Sequence, residues 1–177
     1  MNKHPNVKKL VMSALFATSP LTLFLIEAMI PPVVPIPGVK IGLAYLPVML
    51  VMFIGGSWKI YDAALVLFVR VLLSALISGN LVSVYFSALG GLLSMVVMSI
   101  VRLAVKQKWA VVPAGVFSAT AHNIGQLTAA MTIYTASVWA YLPYLLISAV
   151  LTGLFSGLVI YQLIRKETTI IKNIKDI

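Results

Sequence analysis

The sequence contains no cysteine and only four acidic residues among its 177. Without cysteine there is no disulfide framework, thiolate metal site or catalytic thiol. The sequence has only two aspartates, Asp62 and Asp176, and they cannot form the paired aspartate-rich motifs that hold Mg²⁺-diphosphate. There is also no P-loop, so any energy from ATP must come from another subunit. Catalysis by this chain alone is therefore not expected, and no metal or resident cofactor is indicated.

Charge of either sign is scarce. Charged residues make up 10% of the chain and hydrophobic residues 61%, whereas soluble domains carry roughly 25% charged residues. So little charge cannot cover the surface of a water-soluble particle, which predicts an exterior that faces lipid. The net charge of +9 does not indicate nucleic acid, because lysine and arginine stand in short clusters between apolar stretches.

Six apolar stretches follow one another without an inserted soluble domain. A bilayer core of roughly 30 Å needs about 20 apolar residues in a helix. We predict an all-α membrane protein with a single integral membrane domain over residues 1–177 and spans near 10–30, 41–56, 61–78, 82–104, 111–134 and 140–163. The second stretch is short, so it is expected to tilt inside the bundle or to cover part of the bilayer. No small-residue cleavage site follows the first stretch, which is interpreted as a retained helix.

Basic residues near helix ends favour the cytoplasmic side of a membrane. In a six-span arrangement nearly all of them fall on one side: before the first span, between spans two and three, and after spans four and six. The opposite loops, 79–81 and 135–139, carry no charge. This distribution predicts a multi-pass protein of the cytoplasmic membrane with both termini inside.

A few polar side chains lie within the predicted spans, where a charge costs roughly 2.5–3.5 kcal/mol and usually faces a partner in the bundle. They are Glu27, Arg70, His122, Asn123 and Gln126. One hypothesis is that they bind a polar or anionic small molecule in a cavity open to the outside. The alternative is structural: an ion pair between Glu27 and Arg70, and interhelical hydrogen bonds from His122 and Asn123 worth under about 2 kcal/mol each.

The segment after the first span is rich in proline, with Pro31, Pro32, Pro35 and Pro37 before Lys40. Prolines cannot continue a helix, so a stiff extended loop is predicted, suited to a lid over the cavity. Lys40 would then either attract an anion at the outer mouth or extend to lipid headgroups.

Small residues and tryptophans predict contacts of other kinds. Gly153 and Gly157 on the sixth span allow close packing within the bundle, and Ser13 and Ala17 on the first span allow the same with a partner subunit. The three tryptophans are expected to anchor the protein at the membrane interfaces: Trp58, Trp109 and Trp139.

Several runs resemble those of the Gx transporter family, also labelled heptaprenyl diphosphate synthase component I. They are Glu27-x-x-Ile-Pro-Pro, Pro37-Gly-Val-Lys-Ile-Gly-Leu-Ala44, Arg70-Val-Leu-Leu, Gly90-Gly-Leu-Leu-Ser and Ala121-His-Asn-x-Gly-Gln126. The resemblance covers essentially the whole chain after the basic N-terminus. The chain departs from the pattern at Tyr45, where an asparagine is expected.

The family is similar to the substrate-binding S components of energy-coupling-factor (ECF) transporters, six-helix membrane proteins whose first external loop closes over an outward-facing pocket. The resemblance implies a solute-binding subunit for micronutrient uptake, in which Glu27, Lys40, Arg70, His122, Asn123 and Gln126 bind the solute. It also implies an ECF coupling subunit and two ATPases as partners, contacted through Ser13 and Ala17.

Two rival functions accompany the same resemblance. Relatives in Gram-positive bacteria pass electrons from membrane quinone towards extracytoplasmic flavin. They act beside a NusG-domain-II-like membrane protein and a quinone oxidoreductase, which would imply a bound flavin or quinone. The synthase label implies instead a non-catalytic membrane partner of a heptaprenyl diphosphate synthase.

Overall fold

The computed structural model describes residues 7–29, 45–56, 58–79, 81–134 and 136–166, together with residues 172 and 174. These residues form α1 (Val7–Met29), α2 (Leu46–Phe53), α3 (Ile60–Ser78), α4 (Leu81–Ala104), α5 (Val111–Ile133) and α6 (Leu142–Arg165). Short 3₁₀ turns at Lys108–Ala110 and Ala136–Tyr141 precede α5 and α6. The described part of the chain contains no strand, so the predicted all-helical class is confirmed.

The second helix departs most from its predicted bounds. It has eight residues, about 12 Å of helix, and begins at Leu46 with Pro47 in its first turn, where proline is tolerated. That length does not cross a bilayer core. Five of its residues, among them Val48, Met49 and Met52, are buried, so α2 is an interior element.

The described residues include two stretches long and apolar enough to cross a membrane, 84–104 and 138–165. The second includes the 3₁₀ turn before α6. Helix α6 itself begins at Leu142, two residues after its predicted start, with Pro143 in its first turn. A lipid-facing exterior is consistent with the large apolar side chains that remain exposed on α4 and α6, such as Leu103, Ile147 and Leu151.

Helices α4, α5 and α6 pack closely because glycines face one another across both contacts. A Cβ added to Gly125 would lie 2.8 Å from the Cα of Gly90, and one added to Gly153 would lie 2.6 Å from the carbonyl oxygen of Gly115. Gly157 approaches Val112 in the same way. The Gly153/Gly157 prediction of packing within the bundle is therefore confirmed, and these contacts fix where α5 places its polar residues.

Trp58 was predicted to anchor the protein at an interface, and this prediction is wrong. Its side chain is 1% exposed, and its indole Nε1 donates to the carbonyl oxygen of Ile174 at 2.7 Å. The Phe16 ring meets it edge-on at 5.4 Å, and Arg102 donates to its carbonyl oxygen at 3.3 Å. Trp58 thus joins α1, α4 and the C-terminal segment. Trp109 and Trp139 are partly exposed, at 51% and 39%.

Candidate functional site

Four polar side chains from four helical elements meet inside the bundle. We call them the polar cluster: Tyr45 directly before α2, Arg70 of α3, Ser94 of α4 and His122 of α5. The Arg70 guanidinium carbon lies 5.2 Å from the centre of the Tyr45 ring, a distance typical of a cation–π contact. The rings of Tyr45 and His122 are 5.7 Å apart and inclined by 62°. One cation and three hydrogen-bonding groups are therefore concentrated at one point.

Three atoms of the polar cluster are buried without a hydrogen-bond partner: Tyr45 Oη, Ser94 Oγ and His122 Nδ1. The hydroxyls of Tyr45 and Ser94 are neighbours but do not close a hydrogen bond of good geometry. An unpaired buried polar group costs about 1–3 kcal/mol, and native proteins retain few of them. Three together distinguish the polar cluster from the rest of the described core and make it the candidate site.

Gly90 of α4 allows the face of α5 that carries His122 to pack against α4, next to Ser94. A Cβ added to Gly90 would lie 2.9 Å from Cγ of Gln126 and 3.1 Å from Cε1 of His122. No larger residue fits there without moving the histidine ring. Because Ser94 follows Gly90 by four residues, both lie on the same face of α4. The Gly-Gly-Leu-Leu-Ser run therefore provides a close approach and a hydroxyl at once.

The predicted site residues have different places in the structure. Arg70 and His122 come together in the polar cluster. Asn123 instead donates from Nδ2 to the carbonyl oxygen of Leu145 at 2.7 Å, an interhelical bond that ties α5 to α6. Gln126 borders Gly90 at the contact between α4 and α5. Glu27 lies in the last turn of α1, but its side chain and the whole of Lys40 lie outside the described residues.

Tyr45 and Ser94 were not predicted as site residues. Ser94 is a small polar residue in an apolar helix, and serine in that setting usually bonds its own backbone. Tyr45 was noted only as a departure from the family pattern, at a position where an asparagine was expected. Only the contact between four elements shows that the two side chains share a site.

The two residues predicted to contact a partner subunit differ in exposure. Ala17 is 5% exposed, and Ser13 is half-buried. Ala17 therefore leaves little surface for a second subunit, whereas Ser13 keeps part of its surface, and the partner contact stays a prediction. The exposed side chains of α1 are larger and apolar, including Leu10 and Leu15.

Asp62, the acidic residue whose side chain the structure describes, is already engaged. Its carboxylate accepts from Lys9 Nζ at 3.0 Å and from the Lys59 backbone N–H at 2.8 Å. These bonds cap α3 and join it to α1, so the carboxylate has a structural role. The described residues contain no group of three histidine, aspartate or glutamate side chains able to hold a metal ion.

Comparison with family models places most of the chain in one family. A family model described as heptaprenyl diphosphate synthase component I matches residues 15–163. Comparison with curated proteins and with solved structures returns no match. The match covers α2 to α5 entirely, most of α1 and α6, and every residue of the polar cluster.

Proposed function

Because this chain belongs to the heptaprenyl diphosphate synthase component I family, we propose that it is the non-catalytic membrane component of such a synthase. The family match carries this proposal, since a synthase component implies a partner enzyme that performs the chemistry. Two facts support a non-catalytic role: the sequence has no paired aspartate-rich motifs for Mg²⁺-diphosphate, and the Asp62 carboxylate is held by Lys9 and by the start of α3.

In this proposal the chain holds the synthase at the cytoplasmic membrane, where its long apolar product belongs. We propose that α1, α3, α4, α5 and α6 cross the bilayer and that the short α2 lies between them, with both termini inside. The stretches 84–104 and 138–165 support the membrane location. The basic residues at the ends of α4 and α6, Arg102 and Arg165, support the orientation.

Reconstitution tests this function. The purified chain in lipid vesicles is combined with the catalytic prenyl synthase subunit of the same genome, and formation of heptaprenyl diphosphate from isotope-labelled precursor is measured. We expect no product from the chain alone and more product, bound to the vesicles, when both proteins are present. Equal rates with chain-containing and empty vesicles, together with no co-sedimentation of the two proteins, would contradict the proposal.

A specific observation favours a second function, that of an S-component-like subunit for uptake of a small solute. The polar cluster offers Arg70 and three unpartnered polar atoms, an arrangement suited to a carboxylate or phosphate group and not required of a membrane anchor. Under this proposal Glu27, Lys40, Asn123 and Gln126 remain further candidates for contact with the solute. A coupling subunit and two ATPases would be the partners.

Mass spectrometry of proteins that co-purify with the tagged chain from native membranes separates the two functions. A prenyl synthase among them supports the first function, and a transmembrane coupling subunit with two ATPases supports the second. The electron-transfer alternative has no support from the fold or the family. A flavin absorption band in the purified protein would be needed to bring it back.

A further inference from the structure

A groove runs along the surface of α5 and α6, and none of its lining residues belongs to the polar cluster. Its volume is about 470 Å³, and apolar atoms alone line it. The lining residues come from the 3₁₀ turn before α5, from the first two turns of α5 and from α6: Trp109, Val112, Pro113, Val116, Phe117 and Leu154. From Trp109 to Phe117 the groove extends about 12 Å along α5.

At the Trp109 end, the groove adjoins a basic loop. Lys106 and Lys108 are exposed in the connection between α4 and α5, directly before Trp109. The Trp109 indole donates to the side-chain oxygen of Gln107, which holds the ring at this end. The positive end of the α5 dipole points the same way. One end of the apolar groove therefore lies beside two exposed lysines and the positive end of a helix dipole.

This combination matches an amphiphile with a compact, multiply charged anionic head and an apolar chain. We propose that the groove binds a prenyl diphosphate, with the chain along Val116, Phe117 and Leu154 and the diphosphate at Lys106 and Lys108. A diphosphate suits two neighbouring cations better than the singly charged phosphodiester of a phospholipid does, because each lysine meets its own negative charge. The inference rests on the proposed synthase role and assigns that role a ligand site.

Photo-crosslinking tests the site in the full-length protein, held in phosphatidylcholine nanodiscs. The probe is farnesyl diphosphate with a diazirine on its chain, and adducts are located by mass spectrometry. We expect adducts on residues 109–117 and on the peptide containing Leu154. Unlabelled farnesyl diphosphate should compete, whereas farnesol and phosphatidylglycerol should compete at least about tenfold less well, a difference of about 1.4 kcal/mol.

Matched variants distinguish labelling that requires the groove from labelling elsewhere on the protein surface. Val116→Trp fills the groove, and the double variant Lys106→Gln/Lys108→Gln removes the charge; each should weaken labelling about tenfold. The controls are Leu163→Trp, an exposed position on the face of α6 opposite Leu154, and Lys166→Gln after the last turn of α6; both should stay within about twofold of the parent. Size-exclusion profiles identify any variant that fails to fold. If Val116→Trp does not fold, Val112→Phe replaces it as the variant that fills the groove.

The outcomes distinguish this site from the synthase role. Equal competition by phosphatidylglycerol or farnesol, or adducts outside the groove, overturns the prenyl diphosphate site even if the synthase responds to the chain. Specific labelling of the groove without any effect on a synthase supports the site and overturns the synthase role.

Discussion

At the scale of single residues, the polar cluster combines buried hydroxyls that have no partner with a guanidinium and an imidazole. A hydroxyl in this state lowers the stability of the ligand-free protein, because it lost its hydrogen bonds to water and gained none. Stability and ligand binding should therefore respond in opposite directions when it is removed. A residue that only packs in the core would not show this opposite response, so the two measurements together distinguish a ligand site from core packing.

Ser94→Ala should raise the free energy of unfolding of the ligand-free protein by about 1 kcal/mol, because it removes an unsatisfied buried hydroxyl. Ser118→Ala is the matched control: Ser118 is 1% exposed, but its hydroxyl donates to the carbonyl oxygen of Gly115 at 3.1 Å. Thermal unfolding in detergent measures both. A loss of stability in Ser94→Ala equal to that in Ser118→Ala would show that Ser94 Oγ has a partner within the protein.

Asp62 makes two separable contributions, and two substitutions at this position distinguish them. Asp62→Asn keeps an oxygen for the Lys59 N–H but loses the ion pair with Lys9, so we expect a loss of about 1 kcal/mol. Asp62→Ala also removes the bond to the helix N-terminus, which adds about 1 kcal/mol. The measurement is again thermal unfolding. Equal losses in the two variants would mean that the carboxylate contributes through its charge alone.

At the scale of helices, α4, α5 and α6 form one unit because glycines remove the side chains that would separate them. Association of helices in lipid depends on such close packing, since lipid chains are as apolar as leucine. The backbone of α6 at Gly153 lies against the backbone of α5, whereas Gly91 of α4 faces only the flexible side chain of Leu67. A methyl group added at Gly153 would therefore meet backbone atoms, whereas one added at Gly91 would meet a side chain that can move.

Gly153→Ala should destabilise the protein by about 1–3 kcal/mol, because its Cβ would lie 2.6 Å from the Gly115 carbonyl oxygen and from the Val116 Cα, a case of overpacking. Gly91→Ala serves as the control: its Cβ would meet Leu67 Cδ1 at 3.0 Å, and that side chain can turn away. Alanine also favours helix over glycine by about 1 kcal/mol. An unfolding temperature that falls equally in both variants would contradict the backbone contact between α5 and α6.

At the scale of the whole molecule, the proposed orientation assigns the groove on α5 and α6 to one leaflet of the membrane. The basic ends of α4 and α6 are assigned to the cytoplasm. This assignment places the groove on α5 and α6 at the inner leaflet. The connections α3–α4 and α5–α6 are assigned to the outside. The groove would then face the compartment in which a cytoplasmic synthase works.

The absence of cysteine from the natural chain makes this orientation directly measurable. We expect a membrane-impermeant maleimide to label Leu81→Cys and Trp139→Cys in intact cells, because both lie in outer connections. Gln107→Cys and Lys166→Cys should react only after the membrane is opened. Labelling of all four in intact cells, or the reverse pattern, would contradict both termini being inside.

The helical class and most helix bounds follow from the sequence alone, since the length and apolarity of a stretch determine whether it can form a helix in lipid. Helices α3, α4 and α5 begin and end within one residue of their predicted bounds. Arg70 and His122 could be chosen as site residues for the same reason: polar groups in apolar stretches are rare and costly.

The tertiary structure alone decided which polar groups meet. Ser94 and Tyr45 have no distinguishing local pattern, and they join the polar cluster because Gly90 and Gly125 let α4 and α5 approach. Asn123 adjoins His122 in sequence but bonds α6, because neighbouring helical residues point in different directions. Trp58 resembles an interfacial tryptophan in sequence and is buried in the fold. Helix formation depends on neighbours in the chain, whereas a binding site depends on which helix faces pack together.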